Sequence, residues 1–411
     1  MNRRQFAHLF TLGGSAAILS RESLLASPPP KAEHNFKTAG TVDWHAVRSQ
    51  FMMPSELTVL NAANLCPSPA AILKTVYDYT ERLDSSPVPS YRSEITGAKE
   101  KTRKQLGAYL RVRPEDILIT RNTSESNNWV SNGIDLGKGD EVVIFSDNHP
   151  SNNQAWKEKG RRFGFNVKEV PPLNPHPGVD YYLEAFEKVM TPQTRVCAFT
   201  HLSNKVGDIF PAKELCAMAR ERDVLTLVDG AQSFGLLDVD LSDMQPDFYS
   251  GSAHKWPCGP KETGVLYVNR AVQDRFWPSI YSAYQGKEGL AKTHEGLGQR
   301  DTPALYAFGK QIEFLREIGQ TKIEERSENI ASEIIGELRK INGVHIYTSS
   351  ERALRSAVVT FRPGDLDPPK VVKALESDGI VAASQGGDGW AGVRFSPHFY
   401  NNRMDIRRTI S

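Results

Sequence analysis

The chain has 411 residues and a formal net charge of +1. This length exceeds one ordinary domain and allows a large buried core. The balanced charge lacks the basic footprint of a nucleic-acid-binding protein. Its four cysteines show no Cys-x-x-Cys spacing, so neither a metal site nor a disulfide framework is predicted.

The N-terminus has the pattern of an export signal. Arg3 and Arg4 precede a short apolar run at 9–19, which is too brief to span a membrane, and small residues at 24–26 come before a proline cluster. This pattern resembles a bacterial twin-arginine signal. We therefore expect residues 1–26 to be a signal peptide and the mature protein to be periplasmic. Since no later apolar stretch reaches about 18 residues, we expect no stable membrane insertion.

Strands and helices alternate through the middle of the chain. Apolar, strand-like runs lie at Ile117, Val142, Val167, Val196 and Leu225. Helical patterns occupy residues 127–134, 155–162, 182–190 and 212–222. This alternation predicts an α/β domain with a mostly parallel sheet. The runs at 248–250 and 264–268 follow without a helix between them, so one of these strands is expected to be antiparallel.

The pattern changes after about Pro303. A long helical pattern at 304–341 is followed by strand-like runs at 344–347, 357–361 and 392–396 and by a helix at 369–377. This α+β layout indicates a separate small domain. We expect a segment at 27–60 that joins the small domain, a large domain at 61–297 and a C-terminal domain at 298–411.

Polar residues follow several of the predicted strands, where open α/β sheets hold their ligands. The run TRNTSES at 120–126 leads into a helix, so Thr123 and Ser124 are candidate phosphate ligands at a helix N-terminus. A simple helix cap is the alternative role. His149 and Asn204 lie in the loops after the next strands, although a histidine in such a loop is more often a surface residue.

The most informative pattern lies at 225–260. The run LTLVD places Asp229 at the expected C-terminal tip of a buried strand, and Lys255 follows within SGSAHKWPCGP. Pyridoxal 5′-phosphate (PLP) requires a lysine for an imine and an acid beside its pyridinium nitrogen. A desolvated, cation-rich pocket would lower the pKa of such a lysine. Taken singly, the two residues would be a turn cap and a solvated lysine.

Asp-x-x-Gln followed by Ser-x-His-Lys resembles the cofactor site of the class V aminotransferases, which hold PLP as a lysine Schiff base. The resemblance implies the fold-type I PLP transferase fold, with a large α/β domain around a mostly parallel seven-stranded sheet and a smaller α+β C-terminal domain. It implies catalytic roles for Lys255, His149 and Asp229. His149 would stack on the pyridine ring, while Asn204 and Gln232 would contact the phenolate oxygen.

The resemblance also implies how the cofactor is held. The family completes its phosphate pocket from a neighbouring subunit, which implies a homodimer with shared active sites and leaves open whether Gln299 or Thr302 donates. The full set of implied cofactor-binding residues is Thr123, Ser124, His149, Asn204, Asp229, Gln232, Ser252, His254, Lys255, Gln299 and Thr302.

Two further segments concern the substrate. Arg394, in VRFSPHFYN at 393–401, resembles the family arginine that grips the α-carboxylate of an amino acid. A guanidinium group can bind a carboxylate through two parallel hydrogen bonds; an ordinary surface ion pair is the alternative. Asn64 lies where relatives run an N-terminal loop over the active site. No metal site is predicted.

The loops NHPSN at 148–152 and QRD at 299–301 are most similar to the isopenicillin N epimerase-like branch, which includes exported enzymes of the pyoverdine type. We expect an exported PLP enzyme that acts at the α-carbon or amino group of an amino acid or peptidyl amino acid, by aminotransferase or epimerase chemistry. The alternatives are a cysteine desulfurase or C–S lyase, and a catalytically silent PLP-fold binding protein.

The cysteines argue against the desulfurase. Such enzymes need a thiolate on a mobile loop shortly before the carboxylate-binding arginine. The corresponding stretch at 383–391 contains no cysteine. Cys258 lies close to Lys255 in the sequence, and we expect it to pack near the site rather than to act as a nucleophile.

Overall fold

The structure, a computed structural model, describes residues 36–38, 41–286, 288–386 and 389–410. The chain divides by its internal contacts into Met1–His34 and Asn35–Ser411, and all described residues belong to the second unit. The predicted signal peptide at 1–26 lies outside the described residues, as do residues 27–35.

The strands and helices follow the alternation that the sequence predicts. The strands are β1 (Lys37–Thr38), β2 (Thr41–Val42), β3 (Thr58–Val59), β4 (Ile117–Thr120), β5 (Glu141–Phe145), β6 (Asn166–Val170), β7 (Thr194–Thr200), β8 (Leu225–Asp229), β9 (Phe248–Ser252), β10 (Gly264–Val268), β11 (Val344–Ile346), β12 (Val359–Pro363), β13 (Ile380–Val381), β14 (Ala383–Gln385) and β15 (Gly392–Phe395). The helices are α1 (Trp44–Arg48), α2 (Ala70–Ser85), α3 (Pro89–Leu110), α4 (Thr123–Gly133), α5 (Pro150–Phe163), α6 (Val179–Val189), α7 (Ala212–Arg220), α8 (Leu241–Met244), α9 (Leu290–His294), α10 (Thr302–Ile318), α11 (Gln320–Leu338), α12 (Pro368–Ser377) and α13 (Arg403–Ile410).

A seven-stranded sheet in the order β4-β10-β9-β8-β7-β5-β6 forms the centre of the fold. Only β10 runs antiparallel to its neighbours, while the other pairs are parallel. Strands β4, β8, β9 and β10 are buried along their whole length, which explains their continuous apolar runs. The predicted mostly parallel sheet is therefore confirmed, as is the prediction that one of the strands at 248–250 and 264–268 is antiparallel.

A second, antiparallel sheet in the order β11-β12-β15-β14 lies in the C-terminal part. The N-terminal part of the chain packs against the C-terminal part, because β3 pairs with β13 in a separate two-stranded sheet and Asn61 bridges Ser396 just after β15. This contact brings the loop at 61–66 beside the strand that carries Arg394. The exact domain boundaries at 60 and 297 stay a prediction.

The long helical pattern at 304–341 forms two helices. Gly319 separates α10 from α11 with φ +103°, a conformation that favours glycine. Its N–H caps α10 by donating to the carbonyl of Leu315. The helical periodicity continues across this residue because both helices bury an apolar face, and it therefore hides the break.

Candidate active site

The residues predicted to bind the cofactor follow the carboxyl ends of neighbouring strands. Asp229 ends β8, Lys255 follows β9, and His149 follows β5. Since these strands are parallel, their carboxyl ends meet at one edge of the sheet, where α/β folds bind ligands. The charges of Asp229 and Arg394 influence the pKa of Lys255, and those of Lys255, Asp229 and Arg394 influence the pKa of His149, so the four side chains lie near one another.

Asp229 is held by groups from two helices. The side chain is 2% exposed; its Oδ2 accepts hydrogen bonds from Asn127 Nδ2 at 2.8 Å and from Asn152 Nδ2 at 3.4 Å. Its Oδ1 accepts from the N–H of Ala231 at 3.0 Å. The sequence-based prediction missed both asparagines, although each stands in the first turns of a helix that follows a strand.

Lys255 is a partly buried amine without a fixed partner. Burial lowers its pKa to about 8; the charge of Asp229 raises it and that of Arg394 lowers it. Among the described residues its Nζ makes no hydrogen bond or ion pair. An amine with this pKa has a substantial neutral fraction near neutral pH, as attack on an aldehyde requires.

Thr123 and Ser252 meet at the N-terminus of α4. The N–H of Thr123 donates to Ser252 Oγ at 2.8 Å, and the two hydroxyl oxygens lie 2.7 Å apart. His254 follows nearby in the chain, and burial together with the charges of Lys255 and Lys261 lowers its pKa to about 4. Two hydroxyls at a helix N-terminus suit an anion, and the role of Thr123, Ser252 and His254 as phosphate ligands stays a prediction.

The side chain of Ser124 is exposed, and among the described residues it makes no hydrogen bond to Ser252. It lines a cavity of about 430 Å³ together with Asn128 and Ile280. Its neighbour Asn122 provides the helix cap by accepting from the N–H of Glu125. The cap role that was the alternative for Thr123 and Ser124 therefore belongs to Asn122.

His149 caps α5 through its ring. Its Nδ1 accepts from the N–H of Ser151 at 3.2 Å, which assigns the ring proton of the neutral form to Nε2. Burial and the charge of Lys255 lower its pKa, Asp229 opposes this, and Arg394 adds to it. The ring is therefore neutral at neutral pH and stays accessible to solvent, as stacking on a cofactor ring requires.

Gln232 and Asn204 are both anchored. Gln232 Nε2 donates to the carbonyl of Ala63 at 3.1 Å, and its Oε1 accepts from Trp256 Nε1 at 2.7 Å. One amide hydrogen of Gln232 remains for a further acceptor. The carbonyl of Asn204 accepts from Arg394 Nη1 at 2.8 Å.

Arg394 is a buried cation rather than part of a surface ion pair. It is 5% exposed; its Nη1 donates to Asn204 as above, and its Nη2 donates to Asn61 Oδ1 at 3.1 Å. Its Nε has no partner, and burial lowers its pKa to about 10. In the part of the chain that the structure describes, no carboxylate pairs with it, so a ligand carboxylate would find an unpaired guanidinium group.

The structure does not bring Asn64 to Arg394. Asn64 is exposed, and its N–H donates to the carbonyl of Asn61 in a tight turn. Asn61 instead contacts the arginine, because the bridge to Ser396 fixes the first residue of this loop against β15. The contact of Asn61 with Arg394 was not predicted from the sequence, and the role of Asn64 toward a substrate stays a prediction.

Gln299 lies in the turn before α10, and Thr302 is the first residue of that helix. Gln299 is exposed, and the N–H of Thr302 donates to the carbonyl of Arg300. Within the described residues of this chain, neither side chain bonds to Thr123, Ser252 or His254. Their role toward a neighbouring subunit stays a prediction.

All four cysteines are buried. Burial raises the thiol pKa of Cys197, Cys216 and Cys258. Thiols of this kind are poor nucleophiles, since the thiolate is the reactive form. The described residues also contain no cluster suited to a metal ion, and no helix among them is long and apolar enough to cross a membrane.

The family described as Aminotransferase class-V matches residues 59–409. The chain belongs to this family. It is 29% identical to a probable cysteine desulfurase of Halalkalibacterium halodurans over 88% of this chain and 93% of the relative. It is 28% identical to the isopenicillin N epimerase of Amycolatopsis lactamdurans over 89% of this chain and 96% of the relative.

Solved structures show the same fold. The apo structure of a cysteine desulfurase from Thermococcus onnurineus NA1 superposes with a TM-score of 0.80 at 24% identity and covers 89% of this chain and 96% of that one. A cystine C–S lyase in complex with cysteine persulfide gives a TM-score of 0.79 at 22% identity, over 87% and 97% of the two chains. These comparisons confirm the predicted fold type.

The cofactor of this class V enzyme is pyridoxal 5′-phosphate, as the sequence predicts. The residues present fit the group: Lys255 is an unpaired amine, Asp229 is a fixed carboxylate, and Thr123 with Ser252 offers an anion site. Family membership also confirms that the protein is an enzyme, so the alternative of a silent binding protein is wrong.

Proposed function

We propose that this class V enzyme acts at the α-carbon or amino group of an amino acid or peptidyl amino acid, by aminotransferase or epimerase chemistry. The observation that carries the proposal is Arg394, a buried guanidinium group with an unpartnered Nε and no carboxylate partner among the described residues. A substrate α-carboxylate would satisfy this group and hold the α-carbon near Lys255.

Each residue has a definite task in this mechanism. When bound, PLP supplies an electron sink for the charge that develops at the α-carbon. Arg394 binds and orients the carboxylate, while Asp229 offers a fixed negative charge to the ring nitrogen. Lys255 Nζ accepts the α-proton and returns it, and its pKa of about 8 suits proton transfer near neutral pH.

The return of the proton decides between the two reactions. A proton delivered to the opposite face of the α-carbon, by a donor other than Lys255, would invert its configuration, whereas amino transfer would follow if the α-carbon did not regain the proton. The similarity to isopenicillin N epimerases supports the first outcome, and membership of the aminotransferase family is compatible with the second.

Cysteine desulfuration is disfavoured by the state of the thiols. Sulfur transfer needs a reactive thiolate that can reach the substrate, whereas every cysteine of the chain is at most 1% exposed. The relatives described as probable cysteine desulfurases therefore share the scaffold, and we propose that the chemistry differs.

An acceptor experiment tests which chemistry applies. Purified holoenzyme is offered a panel of amino acids and peptidyl amino acids in deuterated water, with and without a 2-keto acid. Deuterium at the α-carbon without acceptor supports epimerisation, and acceptor-dependent consumption of the amino acid supports transamination. Sulfide release as the main reaction would contradict the proposal.

Export and dimerisation complete the proposed function. We propose a periplasmic enzyme that is exported, as the pyoverdine-type proteins are, because Arg3 and Arg4 precede a signal-like run. Replacing both arginines by lysine keeps the charge and removes the arginine pair, so we expect the precursor to stay in the cytoplasm. Unchanged delivery to the periplasm would contradict the proposal.

We also propose a homodimer, which would place Gln299 or Thr302 at the site of the neighbouring subunit. Sedimentation of wild-type holoenzyme tests the oligomeric state.

A further inference from the structure

Two buried tryptophans each donate an indole hydrogen bond to an amide of the candidate site. Trp256 Nε1 donates to Gln232 Oε1 at 2.7 Å. Trp156 Nε1 donates to Asn152 Oδ1 at 3.1 Å. Both indoles are 0% exposed, so water cannot replace either bond.

These bonds fix the direction in which each amide donates. An indole N–H is only a donor, so the amide oxygen must face it and the amide nitrogen must face the other way. Asn152 then donates to Asp229 Oδ2, and Gln232 donates to Ala63 while keeping one free hydrogen. A flipped amide would set donor against donor in a buried space, which is costly.

Trp256 is itself fixed from the C-terminal part of the chain. His398 Nε2 donates to the carbonyl of Trp256 at 2.6 Å, and its Nδ1 accepts from Ser327 Oγ at 3.0 Å. Burial lowers the pKa of His398 to about 3, so the ring is neutral and keeps both bonds. The residue next to Lys255 is therefore held in place from α11.

We propose that Trp256 and Trp156 are positioning residues that fix the donor direction of Gln232 and Asn152. Trp256 keeps the free amide hydrogen of Gln232 available to an acceptor on the cofactor, and Trp156 keeps Asn152 against the carboxylate of Asp229. The inference rests on the proposed function, because it takes the predicted contact of Gln232 with the cofactor phenolate as its starting point.

The test compares Trp256→Phe with Gln232→Leu in purified holoenzyme. Phenylalanine retains most of the aromatic packing and loses the N–H. The measurement is the midpoint pH of the visible absorption of the bound cofactor. Removing the donor should raise this midpoint by about one pH unit in Gln232→Leu, and Trp256→Phe should shift it in the same direction. The double variant should shift no further than Gln232→Leu.

Trp129→Phe is the matched control. Trp129 is also buried in the large domain, and its indole N–H makes no hydrogen bond to any residue that the structure describes. Its midpoint should equal that of the wild type. For Trp156→Phe, the expected result is weaker retention of PLP in dialysis, by about fivefold, with the visible midpoint unchanged.

Three outcomes separate the possibilities. A wild-type midpoint in Trp256→Phe, beside a shifted one in Gln232→Leu, would overturn the role of Trp256. Unchanged retention of PLP in Trp156→Phe would overturn that of Trp156. A wild-type protein without any visible band would contradict the cofactor site itself.

If Trp256→Phe does not fold, the same hydrogen bond can be tested in Gln232→Leu. The measurement is solvent exchange of the Trp256 indole proton in protein labelled with ¹⁵N-tryptophan. The indole proton of Trp256 should exchange with solvent faster than in the wild type. Unchanged exchange would overturn the proposal.

Discussion

Arg394 and Lys255 differ from the buried ion pairs of the protein in having no carboxylate partner among the described residues. Glu295, for example, is buried and pairs with Arg103 and Lys99, whereas Arg394 and Lys255 have no carboxylate bonded to them among the described residues. Leaving buried cations unpaired is costly for a free protein. The cost is recovered when an anionic ligand binds, which makes these two residues the electrostatic basis of the site.

Replacing Arg394 should therefore affect carboxylate substrates selectively. In Arg394→Gln we expect kcat/KM to fall by roughly 10²–10³, since a buried charge pair of this kind contributes about 2–5 kcal/mol. The control is a substrate amide that lacks the carboxylate, for which wild type and variant should be similarly slow. An equal loss for both substrates would show that the arginine has only a structural role.

The lowered pKa of Lys255 predicts how cofactor loading depends on pH. Only the neutral amine attacks the aldehyde, so the rate of loading into apoprotein should rise about tenfold per pH unit below 8 and level off above it. Asp229→Asn should lower the midpoint, and Arg394→Gln should raise it. Rapid-mixing absorbance between pH 6 and 9 measures this rate. A rate that still rises tenfold per pH unit up to pH 9 in all three proteins would contradict the assigned environment of Lys255.

At the scale of secondary structure, the sequence predicts the parallel strands well because buried strands need continuous apolar runs. It also predicts Asp229 and Lys255, since polar residues at such strand ends are conspicuous. It does not predict Asn127, Asn152 or Asn61, whose importance depends on which helix or loop lies beside which strand end. The break at Gly319 is missed because apolar periodicity continues across it.

A buried ion cluster joins α3 to β4. Glu295 accepts from Arg103 Nη1 at 2.7 Å and from the N–H of Ile119 at 2.7 Å, and it pairs with Lys99 at 2.5 Å. Burial alone would raise the pKa of Glu295, but the charges of Arg103 and Lys99 lower it to about 2. The carboxylate therefore remains charged in the folded protein at any ordinary pH.

Removing this charge should destabilise the fold strongly. Glu295→Gln leaves the buried Arg103 with only the largely exposed carboxylate of Glu100 as a charged partner, so we expect a loss of about 3 kcal/mol in the free energy of unfolding. Glu337→Gln, which affects only an exposed pair with Lys340, should change it by less than about 1 kcal/mol. Urea denaturation measures the free energy of unfolding of both variants. Equal losses in the two variants would contradict the importance of the cluster.

At the scale of the whole molecule, stability should depend on the protonation of Asp208. Its carboxyl is buried, its Oδ1 has no partner, and Asp147 lies nearby. Burial and the charge of Asp147 raise its pKa from 3.8 to about 7. Between these two values the folded state binds more protons than the unfolded state, so stability falls as pH rises from about 4 to 7.

Asp208→Asn removes this dependence while keeping the shape of the side chain. We expect the variant to be more stable than the wild type by roughly 2–4 kcal/mol at pH 8 and to show a much smaller gain at pH 4, where Asp208 is largely protonated in the folded wild type. Denaturant titrations at the two pH values give the comparison. If Asp208→Asn is more stable than the wild type by the same amount at pH 4 and at pH 8, ionisation of Asp208 plays no part in stability.

The proposed reaction depends on the transfer of a proton between the α-carbon and Lys255, and this step can be measured directly. Holoenzyme is incubated in deuterated water with the best amino acid from the panel and, separately, with L-cysteine, and both α-deuterium and sulfide are quantified. We expect incorporation of α-deuterium that Lys255→Ala abolishes, little sulfide, and no effect of Cys258→Ser on either product. Rapid sulfide release from L-cysteine that Cys258→Ser abolishes would contradict it.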